Sequence, residues 1–353
     1  MIRLDRQDVD QLKDSDCLMM GKSTLRWLAF SAFFFLALSR LAMGQTADTA
    51  PPFDEAEHAA RMAEVTEQLI ESSDPTQQAA GLLLSEHAIW AGWHTDAPFL
   101  SGTEFSGRLH ALIDAADSGG ARALLAHLCA SQGVQEDCID RGLDDAIVRF
   151  DGADLVARLH LADADDANRV RQVIIQAQTL NERYMDYALL LLDAMDEPGG
   201  FVTTELAAAP LLHGLSLSPP FANFSRQCAS PSPEDPELDH ACERILDQMM
   251  GDRSSLILTA IGSAVSAQRL QARGDSDAQA RHEQWRDESN QQIACFGSAS
   301  EAIWETADGQ FVREFLKHWQ AYGEASALIM VANQAGLDCG SLQPPPFRGD
   351  SIE

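Results

Sequence analysis

The chain has 353 residues, with 54 acidic and 25 basic side chains and a formal net charge of −29 at pH 7. A chain of this length can bury a sizeable core in one large or two medium domains. The strong negative charge excludes binding to nucleic acid or anionic lipid through a basic surface, and it favours a basic partner.

The N-terminal segment 1–44 has the pattern of an export signal. Lys22 and Arg26 precede an apolar run at 27–38, and the small residue Gly44 ends the segment. Because the apolar run has about a dozen residues and a spanning helix needs roughly 20, we expect a removed signal peptide. The alternative is a retained N-terminal anchor helix. The first interpretation predicts a periplasmic or secreted protein, and the second an inner-membrane anchored one with a periplasmic domain.

A flexible leader is expected at 45–53, and a 3.6-residue apolar period then predicts helices along the chain. Asp74 is a capping residue and Pro75 suits the first helical position. Asp165 or Asp166 is expected to cap the helix that follows it. The predicted helices lie near 54–72, from Pro75 to a loop at 93–103, and near 104–117, 120–131, 136–150, 154–163, 167–180 and 182–196.

The Glu-Pro-Gly-Gly run at 197–200 breaks the helical pattern. We therefore expect an N-terminal helical array at 54–197, a C-terminal array at 201–340 and a disordered, proline-rich tail at 341–353. The helices of the second array are predicted near 203–214, 236–250, 254–273, 277–296 and 308–334. No stretch alternates with period two for long, so the predicted fold class is all-α.

Six cysteines follow residue 44, an even number that in an exported protein suggests disulfide bonds. They are Cys129, Cys138, Cys228, Cys242, Cys295 and Cys339. Fifteen connectivities are possible, and pairing of sequence neighbours is the simplest. Buried free thiols are the alternative. No metal site is predicted, because zinc-binding proteins place their cysteines and histidines in tight pairs that this chain lacks.

The first two cysteine pairs lie in similar sequences. Cys129-Ala-Ser is followed by Cys138 and an apolar helix, and Cys228-Ala-Ser is followed by Cys242 and another. The offset is near 100 residues, which indicates an internal repeat. A helix pair cannot bury its apolar stripe alone, so repeated pairs are expected to stack.

The segment Leu124–Cys138, the helix after it and the turn at 151–154 resemble tetratricopeptide-like (TPR-like) repeats. They are still more similar to uncharacterised exported all-helical proteins of Gram-negative bacteria, which have a cysteine pair in the first helix-turn and a later Cys–Arg helix like that at Cys242. The resemblance covers 120–290, and the strict tetratricopeptide pattern is absent. It implies stacked antiparallel helix pairs, as in an α-solenoid, and no catalytic residues.

Catalytic signatures such as GxSxG, SxxK and the P-loop are absent from the sequence. The best candidate for a cleft is Glu86, His87, Trp90, Trp93 and His94, because a histidine beside aromatic rings can line a site and a carboxylate can orient it. The two histidines are seven residues apart, too far for one metal. Ordinary core packing is the alternative interpretation.

These patterns predict a non-enzymatic helical-repeat scaffold in the bacterial envelope that binds a protein or a basic peptide and needs no cofactor. One alternative is an envelope hydrolase or other enzyme whose site is assembled from distant His, Asp and Glu residues. A small-molecule or metal carrier is the second alternative. The sequence fixes neither the partner nor the oligomeric state.

Overall fold

The computed structural model describes residues 55–90, 100, 102–115, 118–163, 165–181, 184–195, 221–251, 255–304 and 309–340. All of these lie within one compact unit, Gln45–Glu353. The predicted signal peptide, leader, helix at 203–214, division at 197–201 and proline-rich tail lie outside the described residues and stay predictions.

The described residues form α-helices and contain no β-strand, so the all-α prediction is confirmed. The helices are α1 Glu55–Ile70, α2 Pro75–Trp90, α3 Gly102–Ala115, α4 Gly119–Ser131, α5 Gln135–Asp140, α6 Leu143–Phe150, α7 Leu155–Leu161, α8 Ala167–Gln176, α9 Tyr184–Met195, α10 Phe221–Cys228, α11 Pro236–Gly251, α12 Leu256–Arg273, α13 Ser276–Trp304, α14 Gly309–Tyr322 and α15 Glu324–Gln334.

Capping side chains set the predicted helix starts. The carboxylate of Asp74 accepts the backbone N–H of Thr76 at 2.7 Å just as α2 begins at Pro75. Asp166 caps α8 by accepting the backbone N–H of Arg169 at 3.0 Å. Each such cap stabilises its helix by about 1 kcal/mol.

Two predicted helices are each broken in two by a glycine. The segment 136–150 is divided at Gly142, which has a φ of +88°, and the segment 308–334 is divided at Gly323, which has a φ of +87°. These positive-φ conformations interrupt a helix and are readily adopted only by glycine. The apolar period continues across both glycines, which is why the sequence pattern predicts one helix in each place.

The helix predicted at 167–180 ends early, at Gln176. Beyond it the backbone N–H of Gln178 donates to the carbonyl of Gly152 at 3.2 Å, and Leu155 N–H donates to the carbonyl of Thr179 at 3.0 Å. Tertiary hydrogen bonds therefore replace the last helical turn.

Buried side chains form two clusters. The first is built by α1 to α7 with α9 and includes Leu83, Leu125 and Leu191, and the second is built by α7, α8 and α10 to α13 and includes Phe224 and Leu246. The second cluster joins helices from either side of the segment 196–220. Burial of these apolar side chains supplies the main driving force for this packing.

The helix contacts extend beyond neighbours in the chain. Helix α9 packs on α1 and α2 and also on α14. A second series of contacts also links α2 to α14. It runs through α4, α7, α8, α11, α12, α13 and α15, so the helices form a closed circuit. In an open solenoid each repeat contacts only the next one. The solenoid part of the fold prediction is therefore not confirmed among the described helices.

All six cysteines in the described residues are paired as sequence neighbours, as predicted, so the free-thiol alternative is wrong. The pairs are Cys129–Cys138, Cys228–Cys242 and Cys295–Cys339, with Cα–Cα distances of 6.4, 5.4 and 5.6 Å. The first joins α4 to α5, the second joins α10 to α11, and the third ties α13 to the segment after α15. Three such bonds indicate an oxidising compartment outside the cytoplasm.

The first two disulfides lie at equivalent places in a repeated pattern of helix boundaries. Helices α5 and α6 together span 16 residues, and helix α11 also has 16 residues. Both stretches begin shortly after a helix that carries a cysteine. The next helices, α7 and α12, begin 101 residues apart. This spacing agrees with the offset near 100 that the sequence indicates.

Candidate functional site

A pocket of about 510 Å³ lies where α9 packs between the helices α1 and α2 and the helix α14. Its volume is in the range of sites that bind small molecules or side chains. The apolar part of the lining comes from Leu69 of α1 and from Leu189, Leu190 and Ala194 of α9. We call this the α9 pocket.

The polar part of the lining combines two carboxylates, three carboxamides and one ammonium group. These belong to Gln68, Gln77, Asp186, Asp193, Lys317 and Gln320. Carboxamides both donate and accept hydrogen bonds, as peptide groups do, and carboxylates accept from basic groups. The lining is therefore suited to non-covalent recognition of a ligand that carries amide and basic groups.

Both carboxylates come from one helix. Asp186 and Asp193 are the only charged residues of α9, and seven residues separate them, so they lie on one face about 10 Å apart. The other side of the helix is apolar, and Leu191 and Leu192 are fully buried. Burial also raises the pKa of the Tyr187 hydroxyl, which stays neutral in the core.

Polar contacts from α14 hold this face of α9. The side-chain amide of Gln320 donates to Asp186 Oδ1 at 2.7 Å, and Arg313 Nε lies 3.7 Å from Asp193 Oδ1. Lys317, from the same helix, is the only lysine after residue 22. The Asp193 carboxylate keeps 66% of its side-chain surface exposed, so it remains accessible to a ligand.

The ratio of acidic to basic groups on the surface is higher than in the whole chain, because several arginines are buried in internal ion pairs. The pairs are Arg122–Asp151, Arg158–Asp144 and Arg269–Asp239, and each arginine is at most 4% exposed. Each pair withdraws one positive charge from the surface together with one carboxylate. The exposed charge of the described residues is thus carried by a still larger ratio of acidic to basic groups.

The cleft predicted from the sequence falls on side chains that the structure does not describe. Its residues are Glu86, His87 and Trp90 in the last turns of α2, and Trp93 and His94 after it, and all five side chains lie outside the described set. The α9 pocket contacts the other end of α2, at Gln77, which is about 20 Å from residue 90 along the helix axis. The predicted cleft therefore stays a prediction.

Sequence reasoning missed the α9 pocket because its residues come from four helices and are individually ordinary. Gln68 and Gln77 look like surface residues of α1 and α2, and nothing links them to Gln320. One usable signal was present: α9 is an apolar helix whose two carboxylates recur at a spacing of seven. Such a helix is buried on most sides, so its charged face marks the side that meets solvent or a polar site.

Ser263 and His282 have the residue types of a nucleophile and its base, and Ser263 Oγ lies 3.2 Å from His282 Nδ1. Ser263 is fully buried and His282 is 1% exposed, so no substrate reaches them. Burial, together with the charges of Arg286 and Arg281, lowers the pKa of His282 to about 4. A weak, inaccessible base does not activate a serine, and the pair serves packing between α12 and α13.

A matched pair of serines on α12 tests how this packing works. Ser266 is also fully buried, but its Oγ has no hydrogen-bond partner in the part of the chain that the structure describes. We expect Ser263→Ala to lower the free energy of unfolding by about 1–2 kcal/mol, because it leaves the His282 nitrogen unpaired. Ser266→Ala should be neutral or stabilising by up to ~1 kcal/mol. Urea unfolding at pH 7 measures both, and equal losses would contradict the assignment.

Three comparisons with known proteins found no match to this chain. No family model matches the chain, and neither the curated proteins nor the solved structures gave a match. In the described ranges, no helix is both long and apolar enough to cross a membrane. Nor do three or more His, Cys, Asp or Glu residues of those ranges form a group that could hold a metal ion.

Proposed function

We propose that this protein is a non-enzymatic binding protein of the periplasm or cell exterior, and that it holds a basic peptide segment in the α9 pocket. One observation carries the proposal. Asp186 and Asp193, the only charges of an otherwise apolar helix, face a pocket whose other polar groups are mainly carboxamides. Carboxylates bind basic side chains, and carboxamides pair with the peptide backbone between them.

The spacing of the carboxylates suggests the form of the ligand. Seven residues of helix separate them by about 10 Å. Three residues of an extended or polyproline II peptide span about 9–10 Å. Two basic residues separated by two others would therefore reach Asp186 and Asp193 together. Lys317 is placed to pair with a carbonyl or carboxylate of the same peptide.

The overall charge supports the same ligand class. A net charge of −29 attracts a basic peptide over long distances and accelerates its association, and it repels acidic competitors. This steering weakens as salt is added, because the Debye length falls to about 8 Å at physiological ionic strength. Salt-sensitive binding of basic peptides is thus part of the proposal.

Export and stacked helix pairs belong to the proposal as well. The signal-like segment 1–44 and the three disulfides support a compartment outside the cytoplasm, with a retained anchor as the alternative to cleavage. Successive helices that pack on each other, such as α1 on α2 and α11 on α12, support the stacked-pair architecture of the tetratricopeptide-like resemblance. Such stacks offer extended surfaces for a peptide to follow.

Fluorescence anisotropy with labelled nine-residue peptides tests the proposal. A peptide with Arg-x-x-Arg at its centre should bind saturably, and its Glu-x-x-Glu counterpart should not. The double variant Asp186→Asn with Asp193→Asn should weaken binding at least tenfold. Asp277→Asn, which removes an exposed carboxylate near the start of α13, is the matched control and should leave binding unchanged. Equal affinity in the double variant would refute the site.

A further inference from the structure

A second concavity lies on the surface formed by α14 and α15. This open groove has a volume of about 470 Å³ and is lined by side chains from both helices, mainly α15. They are His318, Ser326, Ile329, Met330, Asn333 and Gln334. Ile329 and Met330 are only half-buried, so they present an apolar floor to solvent. We call this surface the α15 groove.

An aromatic ridge borders the floor of the groove. Tyr322 is 67% exposed, and its ring centroid lies 4.7 Å from that of His318. His318 is held in turn by a 3.0 Å contact between its Nε2 and Ser326 Oγ. These contacts hold the two rings in place, although the Tyr322 ring is mostly exposed to solvent.

This combination of groups matches one class of ligand. Proline-rich segments in the polyproline II conformation pack their rings against exposed aromatic side chains. Their carbonyls need donors from the partner, since proline has no N–H to form internal hydrogen bonds. The carboxamides of Asn333 and Gln334 can supply those donors at the edge of the groove.

The α15 groove is distinct from the α9 pocket. Lys317 and Gln320 line the pocket, whereas His318 lines the groove and Tyr322 stacks on it. At 100° per residue these two pairs lie about 150° apart around α14. A ligand in one site therefore does not occupy the other.

The chain itself carries a segment of the required type that follows α15 in the sequence. The run Gln-Pro-Pro-Pro-Phe occupies 343–347, after Gly340, the last described residue. Cys339 is bonded to Cys295 of α13, which fixes the point where this segment begins. Five extended residues from Gly340 span up to about 17 Å, and the groove ends at Gln334, six residues earlier in the chain.

We infer that the segment 343–347 docks as a polyproline II strand in the α15 groove of its own chain. Tethering next to the groove gives it an effective concentration in the millimolar range, so weak contacts suffice. The docked segment covers the exposed Tyr322 and the apolar floor at Ile329 and Met330. It would thereby shield this groove from other proline-rich segments.

Limited trypsin digestion of the full chain tests this inference, because Arg348 directly follows the segment. We expect trypsin to cleave after Arg348 at least fivefold more slowly in the wild type than in Tyr322→Ala. Mass spectrometry measures the rate of this cleavage. Replacing Pro344, Pro345 and Pro346 with alanine should accelerate cleavage by the same factor. The rates are first divided by the cleavage rates of free peptides 341–353 with the wild-type and the alanine sequence. Phe150→Ala, which removes the other strongly exposed aromatic side chain among the described residues, should leave the rate unchanged.

Added peptide Gln-Pro-Pro-Pro-Phe at millimolar concentration should accelerate cleavage of the wild type by competing for the groove. Equal cleavage rates in the wild type and Tyr322→Ala would overturn the inference. If protection from trypsin increased with protein concentration, docking within one chain would be wrong, and the groove would instead bind the tail of a second copy.

Discussion

Reduction of the three disulfides is expected to unfold this protein in buffer where the oxidised form is stable. The bonds close loops with sequence separations of 9, 14 and 44 residues. In the chain-entropy model these contribute about 3, 3 and 4 kcal/mol by restricting the unfolded chain. Their sum is comparable to the whole stability of a typical domain, about 5–15 kcal/mol.

Urea unfolding followed by circular dichroism, with and without a phosphine reductant, measures this effect. The reduced sample must show six free thiols per molecule beyond that of Cys17, if the segment 1–44 is present. We expect loss of the cooperative transition or a shift of its midpoint by more than 2 M, for a urea m-value of about 2–3 kcal/mol/M. An unchanged midpoint in the reduced protein would show that packing alone maintains the fold.

Pairwise replacement separates the three bonds. Cys295→Ala with Cys339→Ala opens the longest loop and should cost about 4 kcal/mol, against about 3 kcal/mol for Cys129→Ala with Cys138→Ala. Cys129 and Cys138 are fully buried, so their alanines also lose packing contacts. A loss well below about 4 kcal/mol for the 44-residue loop would count against the entropic explanation, because the packing lost with its alanines can only add to the entropic loss.

The disulfides and helices could be predicted from sequence because both depend on local geometry. The period of 3.6 residues marks α1, α2, α4 and α11 within about two residues of their ends. A short helical turn returns the chain on itself, so cysteines 9 and 14 residues apart are close in space. The tertiary circuit through α9 and α14 depends on packing between distant segments, and no local pattern encodes it.

Helix α13 shows why some packed faces escape sequence analysis. Its buried positions recur at spacings of three, four and seven, as in a heptad, but several carry polar side chains. They are Ala278, His282, Trp285, Ser289, Phe296 and Ala299. The facing side of α12 offers small residues such as Ser263 and Ser266, which allow close approach. An analysis based on apolar periodicity therefore underestimates this helix, which ends at Trp304 and not near 296 as predicted.

Arg269 of α12 holds the loop between α10 and α11 from inside the protein. Its Nη1 donates to the carbonyls of Cys228 at 3.2 Å and Ser230 at 3.0 Å, and its Nη2 donates to the carbonyl and the carboxylate of Asp239. The side chain is fully buried. Burial alone would raise the pKa of Asp239, but the backbone N–H of Ser232 and the charge of Arg269 hold that pKa below its usual value.

Arg269→Leu is expected to lower the free energy of unfolding by about 3–5 kcal/mol. The change leaves three backbone carbonyls without their donor and removes one of several partners of the Asp239 carboxylate, so the cost of the unpaired buried carbonyls dominates. Arg269→Lys should recover only part of the loss, because an ammonium group cannot replace the forked guanidinium at four acceptors. Urea unfolding with the disulfides intact gives both values.

Arg273 provides the control, because it lies one turn later on α12 and also pairs with Asp239 and with Glu243. Its side chain is 34% exposed, so Arg273→Leu should cost less than about 1 kcal/mol. The two arginines thus share a partner and differ in burial. If both variants lost the same stability, the net charge at Asp239 would explain the effect. A large loss confined to Arg269→Leu assigns it to the buried carbonyls that only this guanidinium reaches among the described residues.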